Sequence, residues 1–133
     1  MNKKINPEHL LQLASEASEK AYAPYSKFSV GACAMYEDGS LYLGCNVENS
    51  SYSLTICAER NAISNAVANG KYKELIAIAI YSPNTKQCYP CGACRQLISE
   101  FEKDTAVIVE GLDGKPEIIT IRELLPYPFI LSQ

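Results

Sequence analysis

The residues best suited to chemistry fall in two short stretches, Cys57-Ala58-Glu59-Arg60 and Pro90-Cys91-Gly92-Ala93-Cys94-Arg95-Gln96. They supply three thiols and one carboxylate, each near the start of an expected helix. Thiolate is a soft ligand that suits tetrahedral zinc at about 2.3 Å. Cys91 and Cys94 are one helical turn apart, so their sulfurs converge from one face. Helix N-termini lower thiol pKa values and so favour the deprotonated ligand. Three protein ligands, Cys57, Cys91 and Cys94, leave a fourth position for water, the pattern of a catalytic rather than a structural site. Glu59 then serves as general base and afterwards as general acid, moving a proton from that water to a leaving group. Because positions i and i+2 of a regular helix do not face each other, Cys57 must sit at the cap or in the first turn. Three thiolates around a divalent ion leave a net negative charge, and Arg60 and Arg95 are placed to offset it by hydrogen bonds to sulfur.

The other cysteines leave a second arrangement open. Cys88 also forms a C-x-x-C pair with Cys91, so Cys57, Cys88, Cys91 and Cys94 could make a closed structural zinc site. Pro90 separates Cys88 from the helix start, and a closed site gives Glu59 no task, so the open site is the preferred reading. A thioredoxin-like dithiol requires no third cysteine and fits less well. Cys33 and Cys45 are expected to be small buried apolar residues. The single histidine, His9, rules out a two-Cys, two-His finger or an H-E-x-x-H pair within one chain.

These residues sit in a chain of 133 residues, 47% hydrophobic and 20% charged, with a net charge of −3. That describes one domain over residues 1–133. A chain of this size buries only roughly two-thirds of its unfolded surface, so a water-excluding site is expected to draw on a neighbouring subunit. Lys3 and Lys4 have no apolar stretch behind them, which predicts no export signal. The apolar run Leu75 to Tyr81 falls far short of the roughly 20 residues of a membrane span. The protein is expected in the cytoplasm, where six cysteines favour metal or redox chemistry over disulfides. A mildly acidic chain without a basic run offers no footprint for nucleic acid, leaving a small molecule as partner.

The elements that must position the site follow from periodicity. Asn6-Pro7-Glu8 opens an amphipathic helix over residues 7–22. Phe28 to Tyr36 and Ser40 to Cys45 flank an Asp-Gly turn and predict a hairpin. A helix from Cys57 to Asn69, ended by Gly70, precedes a buried strand from Glu74 to Tyr81. A helix from Cys91 to Glu102 leads into a strand from Thr105 to Glu110, which suggests parallel pairing of these two strands. Only five residues separate that strand from Pro116 to Ile121, too few for a crossover, so the last strand pair is antiparallel. A short helix, Arg122 to Leu125, ends at Pro126. The expected class is α/β: three layers, with helices on both faces of a mixed five-stranded sheet.

The chain resembles the cytidine deaminases of the small, three-cysteine zinc type. The resemblance rests on Ala21 to Phe28, Val30-Gly31-Ala32, Gly44 to Asn49, the two zinc segments and Glu123-Leu124-Leu125-Pro126. In the H-x-E with P-C-x-x-C signature of zinc deaminases, Cys57 stands at the histidine position. The resemblance implies Zn2+ as cofactor and hydrolysis of cytidine and deoxycytidine to the uridine nucleosides and ammonia, in pyrimidine salvage. It implies that Glu59 handles the protons, that the Ala58 N–H binds the base O2, and that Asn46 and Glu48 bind ribose hydroxyls. Phe28 matches an aromatic that packs on the nucleoside. Phe129 resembles a tail aromatic that reaches a neighbouring subunit's base, with Tyr127 able to share the task, and Tyr52 resembles a subunit-contact residue. A homotetramer is implied. Two rivals stand beside this reading: a blasticidin-S-type deaminase on the same fold, and a noncatalytic four-cysteine zinc domain.

Overall fold

The computed structural model describes residues 4–131, so Met1, Asn2 and Lys3, part of the stretch expected to carry no export signal, lie outside the described residues. A sheet of order β2-β1-β3-β4-β5 is built from β1 (Gly31–Tyr36), β2 (Leu41–Cys45), β3 (Leu75–Tyr81), β4 (Glu102–Glu110) and β5 (Pro116–Thr120). The expected mixed topology is present: β3 and β4 run parallel, and every other neighbouring pair is antiparallel. Alternation along the strands divides the core in two. Ala32, Ala34, Ile78, Ile80, Val107 and Val109 pack beneath α2 (Ala58–Ala68), α3 (Gly92–Glu100) and α4 (Ile121–Leu124). Cys33, Met35, Ala77, Ala79, Ala106 and Ile108 pack against Leu10, Leu11 and Ala14 of α1 (Pro7–Ser18). Each fully buried Val, Leu or Ile side chain in these layers contributes about 1.5–3 kcal/mol.

Two glycines let the helices lie directly on the sheet. A Cβ at Gly31 would come within 1.9 Å of the Ala14 carbonyl oxygen of α1, and one at Gly44 within 2.4 Å of the Ala62 nitrogen of α2. The second contact sets the height of α2, and therefore of Cys57 and Glu59 at its start. Among the described residues, no helix is long and apolar enough to cross a membrane.

Several boundaries differ from those the sequence predicts. The first helix stops at Ser18 rather than residue 22, because Ala21 and Tyr22 leave it to join the site: the Tyr22 N–H donates to the Asn46 carbonyl (3.0 Å) and the Glu48 N–H to the Tyr22 carbonyl (2.8 Å). The strand expected from Phe28 starts at Gly31, since Phe28 and Val30 bond to the Asn46 side chain, and the Ser29 N–H donates to the Asn84 side chain (2.9 Å), instead of to a neighbouring strand. The helix expected to reach Glu102 ends at Glu100, and β4 begins at Glu102, three residues ahead of its expected start. There Thr105 Oγ1 donates to the Leu75 carbonyl (2.7 Å) and accepts the Lys103 N–H (3.1 Å), which spans a register shift whose Asp104 has φ +49°. The polar Glu102-Lys103-Asp104 run carries no strand pattern, so side-chain bonding and not local propensity makes this pairing. The last helix starts one residue early, at Ile121, where Thr120 and Glu123 form a capping box.

Candidate metal and catalytic site

Both metal segments meet at helix starts. Cys57 is the N-cap of α2 (φ −70°, ψ 155°) and Cys91 the N-cap of α3 (φ −67°, ψ 171°), so both have the non-helical torsions that Cys57 requires if it is to share a pocket with Glu59. Neither side chain makes a capping hydrogen bond, which leaves both thiols available. Cys94, in the first turn of α3, is buried. The sulfurs of Cys57, Cys91 and Cys94 all lie within 4.8 Å of one another. Three sulfurs on one tetrahedral zinc stand roughly 3.8 Å apart, given Zn–S bonds of about 2.3 Å. The donor set and its spacing therefore fit zinc with small side-chain adjustments, and Cys88 is not a member of the group.

The local electrostatics favour this chemistry. The Cys57 thiol is brought well below its ordinary pKa, mainly by a hydrogen bond from Cys94, with help from Cys91 and the positive charge of Arg60. Cys94, the donor in that bond, is driven up correspondingly. A thiolate already shared between two thiols is a ready seat for a cation that displaces their protons. Glu59 is 5% exposed, and burial lifts its carboxyl to about 7, with the Cys57 charge adding to the rise. Its own backbone N–H and the neighbouring Cys94 thiol act in the opposite, lowering direction but do not outweigh burial. A carboxyl held near neutrality beside three thiols is matched to proton transfer in both directions.

The two arginines play unlike parts. Arg60 is exposed and acts on Cys57 through its charge, without a hydrogen bond to sulfur. Arg95 does not donate to sulfur with its Nε or Nη1: Nε bonds to the Pro90 carbonyl (2.8 Å) and Nη1 to the Leu124 carbonyl (3.1 Å). A planar donor fork five residues from Pro90 is better spent on the otherwise unpaired carbonyl ahead of the helix. Cys88, half-buried against the core, has its thiol pushed up to about 11 by burial and by the Glu59 charge. Cys33 is buried in the α1 layer and Cys45 is half-buried at the end of β2. His9, exposed in α1, donates its backbone N–H to Asn6 and stands apart from the thiols.

Beside the thiols lies a second cluster. Val47 exchanges both backbone hydrogen bonds with Ile56, immediately before Cys57, each at 2.9 Å. Asn46, 8% exposed, accepts the Val30 N–H at Oδ1 and donates from Nδ2 to the Phe28 carbonyl, both at 2.8 Å. Glu48 accepts the Tyr25 and Ser26 N–H groups at Oε1 (3.0 and 3.1 Å) and the Ser26 hydroxyl at Oε2. That hydroxyl bond, ahead of the two backbone ones, holds its carboxyl below the usual range. Phe28 is partly exposed beside this cross-brace, and Tyr52 stacks edge-on against Tyr25 at 5.9 Å. The Ala58 N–H, at the first position of α2, has no acceptor within the helix. The tail lies elsewhere: Gln96 pairs with both backbone polar groups of Phe129 (2.9 and 3.0 Å), while the Phe129 and Tyr127 side chains point out from residues 69% and 91% exposed.

The sequence reading missed three braces: Ser26, which grips Glu48; Asn61, whose Nδ2 holds the Cys45 carbonyl at 2.8 Å; and Gln96. Gln96 stands two residues after Cys94 and Ser26 falls within the Ala21 to Phe28 stretch that carries the resemblance, each a signal of proximity, whereas Asn61 carries none.

Residues 4–110 match the family model described as the cytidine and deoxycytidylate deaminase zinc-binding region. The chain is 46% identical to a cytidine deaminase of Sporosarcina psychrophila over 126 residues, covering 94% of this chain and 92% of that protein. A crystal structure of cytidine deaminase from Burkholderia pseudomallei superposes with a TM-score of 0.87 at 42% identity, covering 94% of this chain and all of that one. More distantly, a blasticidin-S deaminase of Bacillus cereus is 33% identical over 128 residues, with 90% of this chain and 91% of that protein covered. The mixed sheet, the three converging thiols and these likenesses agree, and the chain belongs to the cytidine and deoxycytidylate deaminase family.

Proposed function

We propose that this protein is a zinc-dependent hydrolase that converts cytidine and deoxycytidine to uridine and deoxyuridine with release of ammonia. The observation that carries the reading is the convergence of the Cys57, Cys91 and Cys94 sulfurs within 4.8 Å beside the buried Glu59 carboxyl. Cys57, Cys91 and Cys94 would hold the zinc, which when bound supplies Lewis acidity that makes water a nucleophile near neutral pH.

Glu59 takes one proton from the attacking water and passes it to N3 of the base. It then delivers the second proton to the amino nitrogen as the C4–N bond breaks, so water adds its oxygen to C4 and ammonia leaves. The Ala58 N–H, free at the helix start, holds the O2 carbonyl and so fixes the ring over Glu59. Asn46 and Glu48 keep unspent acceptor capacity, and Asn46 a second amide hydrogen, for ribose hydroxyls. Phe28 packs on the nucleoside. Arg60 tempers the thiolate charge, and Arg95 acts by fixing Pro90 instead of touching sulfur.

The unit is residues 1–133, placed in the cytoplasm because free thiolates persist in a reducing compartment. A homotetramer accounts for the exposed tail, in which Phe129 or Tyr127 would complete a neighbour's pocket. Mixing Glu59→Gln chains with Phe129→Ala chains tests this sharing: hybrids should recover part of the activity, and none would recover it if the tail serves only its own chain. Cys88 lies outside the sulfur cluster, which disfavours the closed four-cysteine domain.

The test of the function is an absorbance assay on cytidine, deoxycytidine, cytosine and blasticidin S, with and without a zinc chelator. Turnover of the first two that the chelator abolishes is expected. Turnover of blasticidin S alone, or none by zinc-loaded protein, would overturn the reading.

A further inference from the structure

The segment between β3 and the metal helix has no regular structure where it approaches Cys91, yet it is gripped at several points. Gln87, at φ +50°, donates its backbone N–H to the Glu110 carbonyl (2.7 Å), and the Tyr89 N–H donates to the Gln87 carbonyl (2.8 Å). The side chains of Gln87 and Tyr89 then meet one carboxylate on the next hairpin. Gln87 Nε2 donates to Glu117 Oε1 at 2.8 Å, and the Tyr89 hydroxyl donates to Glu117 Oε2. Gln87 Nε2 also reaches the Tyr89 hydroxyl (3.3 Å), closing a three-membered ring of bonds that is partly buried.

Glu117 lies on β5, opposite Val109 of β4, and is remote in sequence from every metal ligand. The chain beyond Tyr89 is stiff. Pro90 has a fixed φ and restricts the residue before it, and its carbonyl is held by Arg95 at 2.8 Å. Cys91 stands two positions after Tyr89, so a displacement at Tyr89 has few soft torsions in which to dissipate before it reaches the ligand's Cα. The two bonds to Glu117 therefore do more than close a loop.

We propose that Glu117 is a positioning residue for the metal centre: by gripping Gln87 and Tyr89 it fixes the Gln87–Pro90 segment and so sets where the Cys91 thiolate stands. This rests on Cys57, Cys91 and Cys94 holding zinc. Partners that orient metal ligands typically change metal affinity by about 10–100-fold when removed, and loss of both bonds should produce an effect in that range.

The test monitors zinc release to a chromogenic chelator from purified holoenzyme, together with the thiolate-to-metal absorption of the cobalt-substituted protein. Glu117→Ala should release zinc about 10-fold faster or more and shift the cobalt bands. Glu117→Gln retains one acceptor oxygen and should recover part of the difference. Tyr89→Phe, which removes a single hydroxyl, should fall between parent and Glu117→Ala, and it keeps the inference testable if Glu117→Ala does not fold. Ile118→Ala, at an exposed neighbour on the same strand, controls for loosening of the hairpin and should release zinc at the parental rate. Parental release and cobalt spectra in Glu117→Ala, or in Tyr89→Phe where the former is not obtained, would overturn the inference. Faster release in Ile118→Ala as well would overturn it in favour of general loosening. A parent that binds no zinc would instead overturn the reading of the thiols themselves.

Discussion

The metal end and the proposed nucleoside end of the site are built in opposite ways. At the metal end, Cys57 and Cys91 cap helices with their backbones and make no side-chain capping bond, so their sulfurs are committed only to one another and to Cys94. At the nucleoside end, Asn46 and Glu48 spend much of their hydrogen-bonding capacity on the chain itself, tying Phe28, Val30, Tyr25 and Ser26 in place. On the proposed reading, the reacting groups are positioned by their helices and held free, whereas the groups proposed to bind the nucleoside double as structural braces. Substitutions at the metal end should alter turnover and metal with little change in substrate affinity. Those at the nucleoside end should alter affinity and stability together.

The largest effect is expected at Glu59. Glu59→Gln keeps the shape and removes the proton carrier, so kcat should fall by roughly 10²–10⁴. Zinc content and melting temperature should stay near parental, and unchanged kcat would remove Glu59 from the chemistry. Asn46→Ala comes next on the opposite side of the comparison. It strands the Val30 N–H and the Phe28 carbonyl, which should cost about 2–3 kcal/mol in denaturant unfolding. KM should rise with it, and a rise in KM without loss of stability would break the claim that binding groups here are also braces.

Glu48→Gln should raise KM more modestly and loosen the Tyr25-Ser26 turn, with kcat less affected. The pH dependence of this brace is set by its lowered pKa. A carboxylate held below its unfolded value of about 4.3 contributes its stabilisation fully above that value, and loses it as pH falls through the lower folded value. KM should accordingly show no inflection from Glu48 near neutrality and should rise only in acid. The smallest effect is expected for Cys88→Ser, which should keep stoichiometric zinc and near-parental kcat. Loss of metal there would restore the closed four-thiolate site.

The same contrast between the two ends explains what could be read from the sequence. The convergence of the thiols was legible because Cys57, Cys91 and Cys94 stand at spacings set by helix geometry, and a helix start is signalled locally. Three strand pairings were legible from turn signals, intervening helices and connection lengths, the five residues between β4 and β5 above all, whereas the β1–β3 pairing that completes the sheet order was not. The nucleoside end was harder to read: Asn46 and Glu48 could be named through family resemblance, but their cross-bracing of residues more than a dozen positions away leaves no periodic trace. The same bonds explain why the first helix ends early and β1 begins late, since Tyr22 and Phe28 are claimed by Asn46 and its neighbours. Arg95 illustrates the remaining limit. Its place beside Cys94 suggested sulfur, and only the fold shows its Nε and Nη1 on the Pro90 and Leu124 carbonyls.

The central claim is that one zinc held by Cys57, Cys91 and Cys94 enables cytidine turnover. Its most direct test is to strip the metal with a chelator, remove the chelator, and titrate zinc back while measuring cytidine hydrolysis. Activity should rise linearly from near zero to a plateau at one zinc per chain. Parental turnover in the stripped protein, or fully zinc-loaded protein that leaves cytidine untouched, would contradict it.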